Sequence, residues 1–455
     1  SRRAPAPRAL PSVEDEGRAL AWMRAEHANL SAAVAHAARH GHSEHAVQIP
    51  AAMAEFMRTE GSWSDALALH RTALGAALLD GDRLGHALAL RHIAVIETLQ
   101  ADYAQAEPHL LAALELFRAL RDPGREAIAL HDLSSVLRRT GRYEEAQSSL
   151  LRCLSLFGQT RDARGQAQVL IELGHVQQLT GRFAEAADNM GRALDLHRAL
   201  GDRLGQANAL TSLGDVRKST GAYAESVSCH RQALVLFRHL DNELGEANVL
   251  TDLADVLRLM GAYDEALENV EEALRLYRCL GARLGAANAL AHRGRIRQRI
   301  GRPAEAEKDL LEALDVCRTL GSRMGQAYVL MYLAEVQVLS GSSACALENV
   351  TASLELCREI GDLGGEAEAL NTLGAVQRAE AVPADALDSH RRALELAREV
   401  RSPYEEARAL EGIGESLADL GRPDEANAQL FRALELARAL RTPDTQRIEA
   451  RLARG

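Results

Sequence analysis

The side chains best placed to do chemistry here are amides and cations that recur at a fixed interval, not a nucleophile with its base. Asn208, Asn248 and Asn288 stand 40 residues apart. An amide carries both donors and an acceptor, so a spaced row of them can hold an extended peptide backbone without reading its sequence. Thr211 and Thr251 follow the first two by three residues, and Asp215 and Asp255 come one turn later. Each aspartate lies three residues ahead of a cation, Lys218 or Arg258. A second feature is the arginine-rich run from Ala291 to Ile300, with Arg293, Arg295, Arg297 and Arg299. Guanidinium forks of this kind suit an anionic ligand, a peptide carboxylate or an acidic partner. Arg293 stands where sister segments carry Leu, a place where an unpaired buried charge is costly. The same residues also fit a solvated helix face with i,i+3 ion pairs worth about 0.2–0.5 kcal/mol each. In that case acids such as Asp252, Asp255 and Glu335 neutralise the arginines from within. Sequence leaves both readings open.

Other chemistries fail on spacing. Gly214 to Thr220 echoes a phosphate loop, but it lacks the Gly before Lys218 and falls in a helical segment whose N–H groups are already used. His36, His40, His42 and His45 cluster without an HExxH pattern or a Cys partner, so no metal site is expected. Six cysteines are scattered without CxxC spacing. Cys317 and Cys357 lie one period apart, where stacked helices sit about 8–10 Å from each other, beyond the roughly 7 Å that a disulfide tolerates. Reduced thiols in a cytosolic core are therefore expected. No cofactor motif is present, and no enzyme is expected. The net charge of −11 argues against a general nucleic-acid footprint. No apolar run approaches the ~20 residues that span a bilayer, and no secretory signal opens the chain, so a cytoplasmic protein is expected. Ser1 in place of Met implies a fragment or a processed product.

The interval itself decides the architecture. With blocks starting at residues 41, 81, 121 and onward to 401, ten segments align without an insertion or deletion. Position 34 is always Leu, from Leu74 to Leu434. Position 26 is Ala in nine blocks and Ser226 in the tenth, and Gly holds position 21 in eight. Each block reads as two helices. Gly-Asp, as at Gly201-Asp202, supplies a left-handed stop followed by an N-cap for helix A. Gly221 breaks helix A, and helix B starts near Tyr223; Pro303, Pro383 and Pro423 occupy that start in later blocks, where the missing N–H costs nothing. Neither helix has an apolar face that one pair could bury, so the blocks must stack.

At Leu213-Gly214, Gly221, Tyr223, Ser226 and Ala233-Leu234 the chain resembles the tetratricopeptide repeat (TPR) family, with six extra residues per repeat and without the usual Pro after helix B. The resemblance implies an all-α, right-handed TPR superhelical solenoid of about ten helix-turn-helix repeats. In that fold helix A lines a concave groove, so Asn208, Thr211, Asp215, Lys218, Asn248, Thr251, Asp255, Arg258, Asn288, Arg295 and Arg299 are the candidate groove residues. The expected organisation is a linker at 1–12, a helical pair acting as an adaptor at 13–40, ten repeats over 41–440, and a capping helix at 441–455. The run from Ala19 to Val34 looks like the junction that precedes the repeats in actinobacterial STAND and antibiotic-regulatory transcriptional regulators. The implied role is ligand sensing: a protein or peptide, with an acidic or carboxylate-bearing one suiting the arginines, binds the groove and controls an upstream nucleotide-binding switch. A constitutive assembly scaffold and a self-associating module are the alternatives.

Overall fold

The computed structural model describes residues 16–60 and 63–453, and every regular element in that range is an α-helix. The expected linker at 1–12 lies outside the described residues. The chain divides into two compact units, one ending at Val176 and the other beginning at Gln177.

The first unit holds α1 (Glu16–Arg39), α2 (Ser43–Glu60), α3 (Trp63–Asp80), α4 (Arg83–Leu99), α5 (Tyr103–Ala119), α6 (Pro123–Arg139), α7 (Tyr143–Thr160) and most of α8 (Ala163–Leu179). Residues 16–39 form one continuous helix, not the expected pair, because after Gly17 in the first turn no Gly or Pro occurs before Gly41. Leu20, Met23 and Val34 of α1 join Met53, Phe56 and Met57 of α2 in one apolar cluster. A larger cluster joins α4 to α8 through Leu110, Phe117, Leu150 and Leu173.

The second unit continues with α9 (Phe183–Ala199), α10 (Arg203–Ser219), α11 (Tyr223–His239), α12 (Glu243–Leu259), α13 (Tyr263–Cys279) and α14 (Arg283–Arg299). It ends with α15 (Pro303–Thr319), α16 (Arg323–Leu339), α17 (Ser343–Ile360), α18 (Leu363–Ala379), α19 (Pro383–Glu399), α20 (Pro403–Asp419), α21 (Pro423–Leu440) and α22 (Asp444–Leu452). From α2 onward, even-numbered helices up to α20 are the A helices of the blocks and odd-numbered ones the B helices. No helix among the described residues is long and apolar enough to cross a membrane.

Local chemistry sets the boundaries. Asp82, Asp202, Asn242 and Asp362 accept the N–H three residues on and so cap their A helices. The turns at positions 1 and 21 take a left-handed residue, usually Gly: Gly201 has φ 65° and Gly221 φ 77°. Where Ala replaces Gly at position 21, at Ala101 and Ala381, the backbone keeps the same left-handed conformation.

Two size matches fix how closely the helices of the second unit approach. Within a block, Gly214 lies under His230, Gly294 under Leu310, Gly374 under His390 and Gly414 under Leu430. In the remaining two pairs at these positions, Ala254 stands with Val270 and Ala334 with Val350, all four fully buried. The small residue on helix A and the large one on helix B thus vary together. Between blocks, the residue at position 37 lies over the glycine at position 5 of the next: Phe237 over Gly245, Tyr277 over Gly285 and Cys317 over Gly325.

A methyl at Gly245 would collide with the Phe237 ring, whereas Gly191 in α9 has open space around it. Overpacking costs about 1–3 kcal/mol and helix propensity returns about 1 kcal/mol. Gly245→Ala should therefore lower stability by about 1–2 kcal/mol and Gly191→Ala should raise it, read as opposite shifts of the urea midpoint. His390 supplies a second test. Burial, with help from Arg378 and Arg408, lowers its pKa to about 3. The unfolded chain therefore takes up this proton near pH 6.5 and the folded chain does not, so stability is intact above pH 6.5 and falls as pH drops toward 3. The slope expected from this one group is about 1.4 kcal/mol per pH unit, and His390→Leu should flatten the measured pH dependence by that amount.

Candidate functional site

The A helices of the second unit turn a polar face toward one another, and the site is built there. Asp255 and Arg258 leave α12 one turn apart and pair at 2.8 Å, both buried. Lys218 of α10 reaches Asp255 at 3.2 Å, and His292 of α14 stands 3.5 Å from the same carboxylate. Burial opposes ionisation of Asp255, but Arg258, Lys218 and His292 overcome it and hold its carboxyl well below the usual range. Its neighbour Asp252 goes the other way, pushed up by burial and by Asp215.

Arg295 is buried to 9% exposure and meets Glu368 of α18 at 3.0 Å, with Asp255 at 3.8 Å. Its guanidinium also lies 4.1 Å from the ring centre of Tyr332, a cation–π contact. Glu368 is pushed up to about 7 by burial, despite the attraction of Arg295. Arg408 of α20 meets Glu335 at 2.7 Å and Glu405 at 3.3 Å. Asn371 donates to the Glu405 carboxylate at 2.9 Å, and His390 contacts its amide oxygen at 3.2 Å.

The C-terminal end of this unit closes onto the same face. Leu440 packs over Gly221, and Pro443 stands 3.2 Å from where a Cβ on Gly261 would be. Two turn glycines thereby double as seats for the segment that leads into α22. From α22, Asp444 meets Arg299 at 3.3 Å and Arg447 at 2.9 Å. Arg447 also holds Glu411 of α20 at 2.6 Å.

The eleven residues singled out from the sequence therefore separate. Asp255, Arg258, Arg295 and Arg299, with Lys218, come together in one charged network. Asp215 stands 3.9 Å from the buried His230. Thr211 and Thr251 donate to the carbonyls of Ala207 and Ala247 in their own helices, so their hydroxyls are directed to backbone; Thr251 is buried. Asn208, Asn248 and Asn288 are all exposed, and Asn248 accepts a bond from Tyr277 at 2.7 Å. The solvated-face reading fails for Asp255 and Arg258, because that i,i+3 pair is buried. Internal neutralisation of Arg295 is present: of the three acids expected, Asp255 stands 3.8 Å away, while its nearest carboxylate is Glu368, two blocks on, at 3.0 Å.

Arg293 avoids the cost of an unpaired charge through a partner outside the acids expected from neighbouring blocks. It is not unpaired: Asp309 in α15 of the same block binds it with both oxygens, at 2.7 and 2.9 Å, and takes Arg297 at 2.7 Å as well. Asp309 occupies position 29, which elsewhere pairs with position 17: Asn189 with Gln177, Asn349 with Gln337 and Ser389 with Gln377. This polar contact between helices A and B is a repeated structural device, and in the arginine-rich block it has become ionic.

Sequence reasoning missed the exposed apolar ribbon beside the asparagines. Leu204, Leu244, Leu284 and Met324 occupy position 4 at 43–59% exposure, one turn from Asn208, Asn248, Asn288 and Tyr328. Leu200, Leu240, Leu280 and Leu320 lie beside them at the ends of the preceding B helices, also exposed. The recurrence at position 4 was a readable signal. A cavity of about 440 Å³ opens at this ribbon, lined by Leu284, Asn288, Met324, Tyr328 and Arg295 among others. A second cavity, of about 380 Å³, lies across Arg295 among α12, α14, α16, α18, α20 and α22. The His36–His40 pair instead stacks at 4.0 Å, and His40 Nδ1 contacts the His36 carbonyl at 2.8 Å.

Removal of Asp309 should leave two largely buried arginines without their shared acid. Asp309→Leu is expected to cost about 3 kcal/mol. The triple change Arg293→Leu, Arg297→Leu and Asp309→Asn recreates the Leu253, Leu257 and Asn269 arrangement of the preceding block. It should restore stability to within about 1 kcal/mol of the parent in urea unfolding.

Comparison with known proteins agrees with the helix pairs. A family model described as tetratricopeptide repeat matches residues 86–159, 125–199, 165–239, 205–279 and 365–439, together more than half of the chain. No curated protein matches the sequence. Among solved structures, a Rap protein complexed with competence and sporulation factor is 15% identical, with a TM-score of 0.58, over 79% of this chain and 98% of that one. The Rap conjugation gene regulator of plasmid pLS20, in complex with the Phr* peptide, is 14% identical with a TM-score of 0.56, over 73% of this chain and 94% of that one. At these identities the likeness is one of fold.

Proposed function

The chain belongs to the tetratricopeptide repeat family, and from that premise we propose that its second unit binds an extended segment of a partner protein or peptide, as the sensing arm of a cytoplasmic bacterial regulator. The observation that carries this reading is the ribbon of exposed apolar and amide side chains on α10, α12, α14 and α16. Adjacent helices lie about 8–10 Å apart and an extended chain advances about 3.3 Å per residue. One repeat therefore spans about three residues of a bound segment. The asparagines can bond its backbone, while Leu244, Leu284 and Met324 receive apolar side chains. Apolar exposure repeated over four blocks is a feature that folding alone does not require.

One comparison and one sequence resemblance motivate the regulatory part of the proposal. The Rap structures named above are complexes with a peptide or with a sporulation factor, on a related fold. The Ala19–Val34 segment also looks like the junction that precedes repeats in actinobacterial STAND regulators. Because the ribbon crosses four blocks, a bound segment favours one spacing of the A helices and shifts the population toward it. Binding, and not catalysis, is the activity this surface offers.

The ribbon can be broken without touching the core. Leu244→Glu with Leu284→Glu should leave the melting temperature within about 2 °C and weaken binding of the partner captured from native lysate by at least about tenfold. Unchanged capture and unchanged affinity for the purified partner would sink the proposal.

A further inference from the structure

The cavity of about 380 Å³ on the far side of Arg295 is walled by five guanidinium groups, from Arg258, Arg295, Arg299, Arg408 and Arg447, against two carboxylates, Glu335 and Asp444. Its volume falls in the range of small-ligand sites. The acids that hold these arginines in place stand mostly outside it. Asp255 grips Arg258, Glu368 grips Arg295 and Glu411 grips Arg447, and none of the three lines the cavity. Each acid orients a fork from behind, and the cavity surface is left cationic. Arginine forks held this way are matched to oxygens of phosphate or carboxylate groups.

Two acids are exceptions: Glu335 lines the cavity and holds Arg408 at 2.7 Å, and Asp444 lines it as well. Asp444 reaches the cavity from α22, not from a repeat, and places one carboxylate between Arg299 and Arg447. A carboxylate carried on the last helix, among arginines that come from the repeats and from α22 itself, occupies the place of an anion. We propose that this cavity binds a small, multiply charged oxyanion, with phosphoryl or clustered carboxylate groups, whose oxygens replace the Asp444 carboxylate on Arg299 and loosen α22. The site is separate from the apolar ribbon, so it stands or falls independently of partner binding there.

The test uses the full chain and isothermal titration at fixed ionic strength, with inorganic pyrophosphate as one probe and citrate as the other. Saturable one-to-one binding of either is expected, and the probe that binds identifies phosphoryl or carboxylate chemistry as the source. Asp444→Asn removes the internal competitor and should tighten that binding at least threefold. Arg299→Gln and Arg447→Gln, both at partly exposed side chains, should each weaken it at least tenfold while the melting temperature stays within a few degrees. Hydrogen exchange of residues 444–452 should quicken when the anion is bound. The proposal is overturned if neither probe binds the parent or Asp444→Asn, if Asp444→Asn weakens binding, if both arginine variants retain parental affinity, or if α22 becomes more protected.

Discussion

Everything in the second unit depends on how closely each A helix can approach the B helices on either side of it. That approach is set by volume. Gly214 and Gly374 make room for the imidazoles of His230 and His390, and Gly245 and Gly285 make room for Phe237 and Tyr277. A helix with glycine at these places gives up about 1 kcal/mol of intrinsic propensity per residue relative to Ala. It recovers this only when a facing B helix supplies the ring, from the same block at Gly214 and Gly374 and from the preceding block at Gly245 and Gly285. The repeats are consequently interdependent, and each contributes stability mainly through its interfaces.

This dependence explains what could be read in advance. The period, the left-handed turns and the small residues at position 26 are requirements of close packing, so they recur in every block and announce the fold. The match between positions 14 and 30 was equally present in the sequence, but as a covariation and not as a constant, and it becomes visible only once the two helices are seen to touch. Asp309 belongs to the same class: its partner Arg293 lies on the facing helix of the same block, and both depart from the repeat together. Glu368 and Arg408 were harder. Their contacts run across two blocks, to Arg295 and Glu335, a reach set by stacking geometry and not by the period. Asp444 was out of reach altogether, because it comes from a helix outside the periodic blocks and its position follows from where Leu440 and Pro443 find their glycine seats.

The charged network poses the remaining physical question. Desolvating an ion costs several kcal/mol, and a buried pair often does no better for stability than apolar residues of the same volume. The second unit shows both solutions side by side. At positions 13 and 17 most blocks carry apolar residues or a neutral amide, and only the block from 281 carries arginine at both, half-buried, with a single aspartate serving the two. Between the facing A helices and α22, in contrast, arginines come from α12, α14, α20 and α22, and acids oppose them from α12, α16, α18, α20 and α22. Burial raises Glu368 to about 7 beside Arg295, so even paired carboxylates here are not uniformly stable as anions. A network built only to hold the solenoid together would do as well with apolar residues of similar volume in place of such groups. Retaining them keeps a cationic cavity at the point where the last helix closes onto the repeats. It also leaves Arg299 held through longer contacts, 3.3 Å to Asp444 and 3.4 Å to Tyr404, than the 2.6–2.8 Å pairs around it. The least tightly satisfied cation is thus the one facing both the cavity and α22, which is where an incoming anion has most to gain.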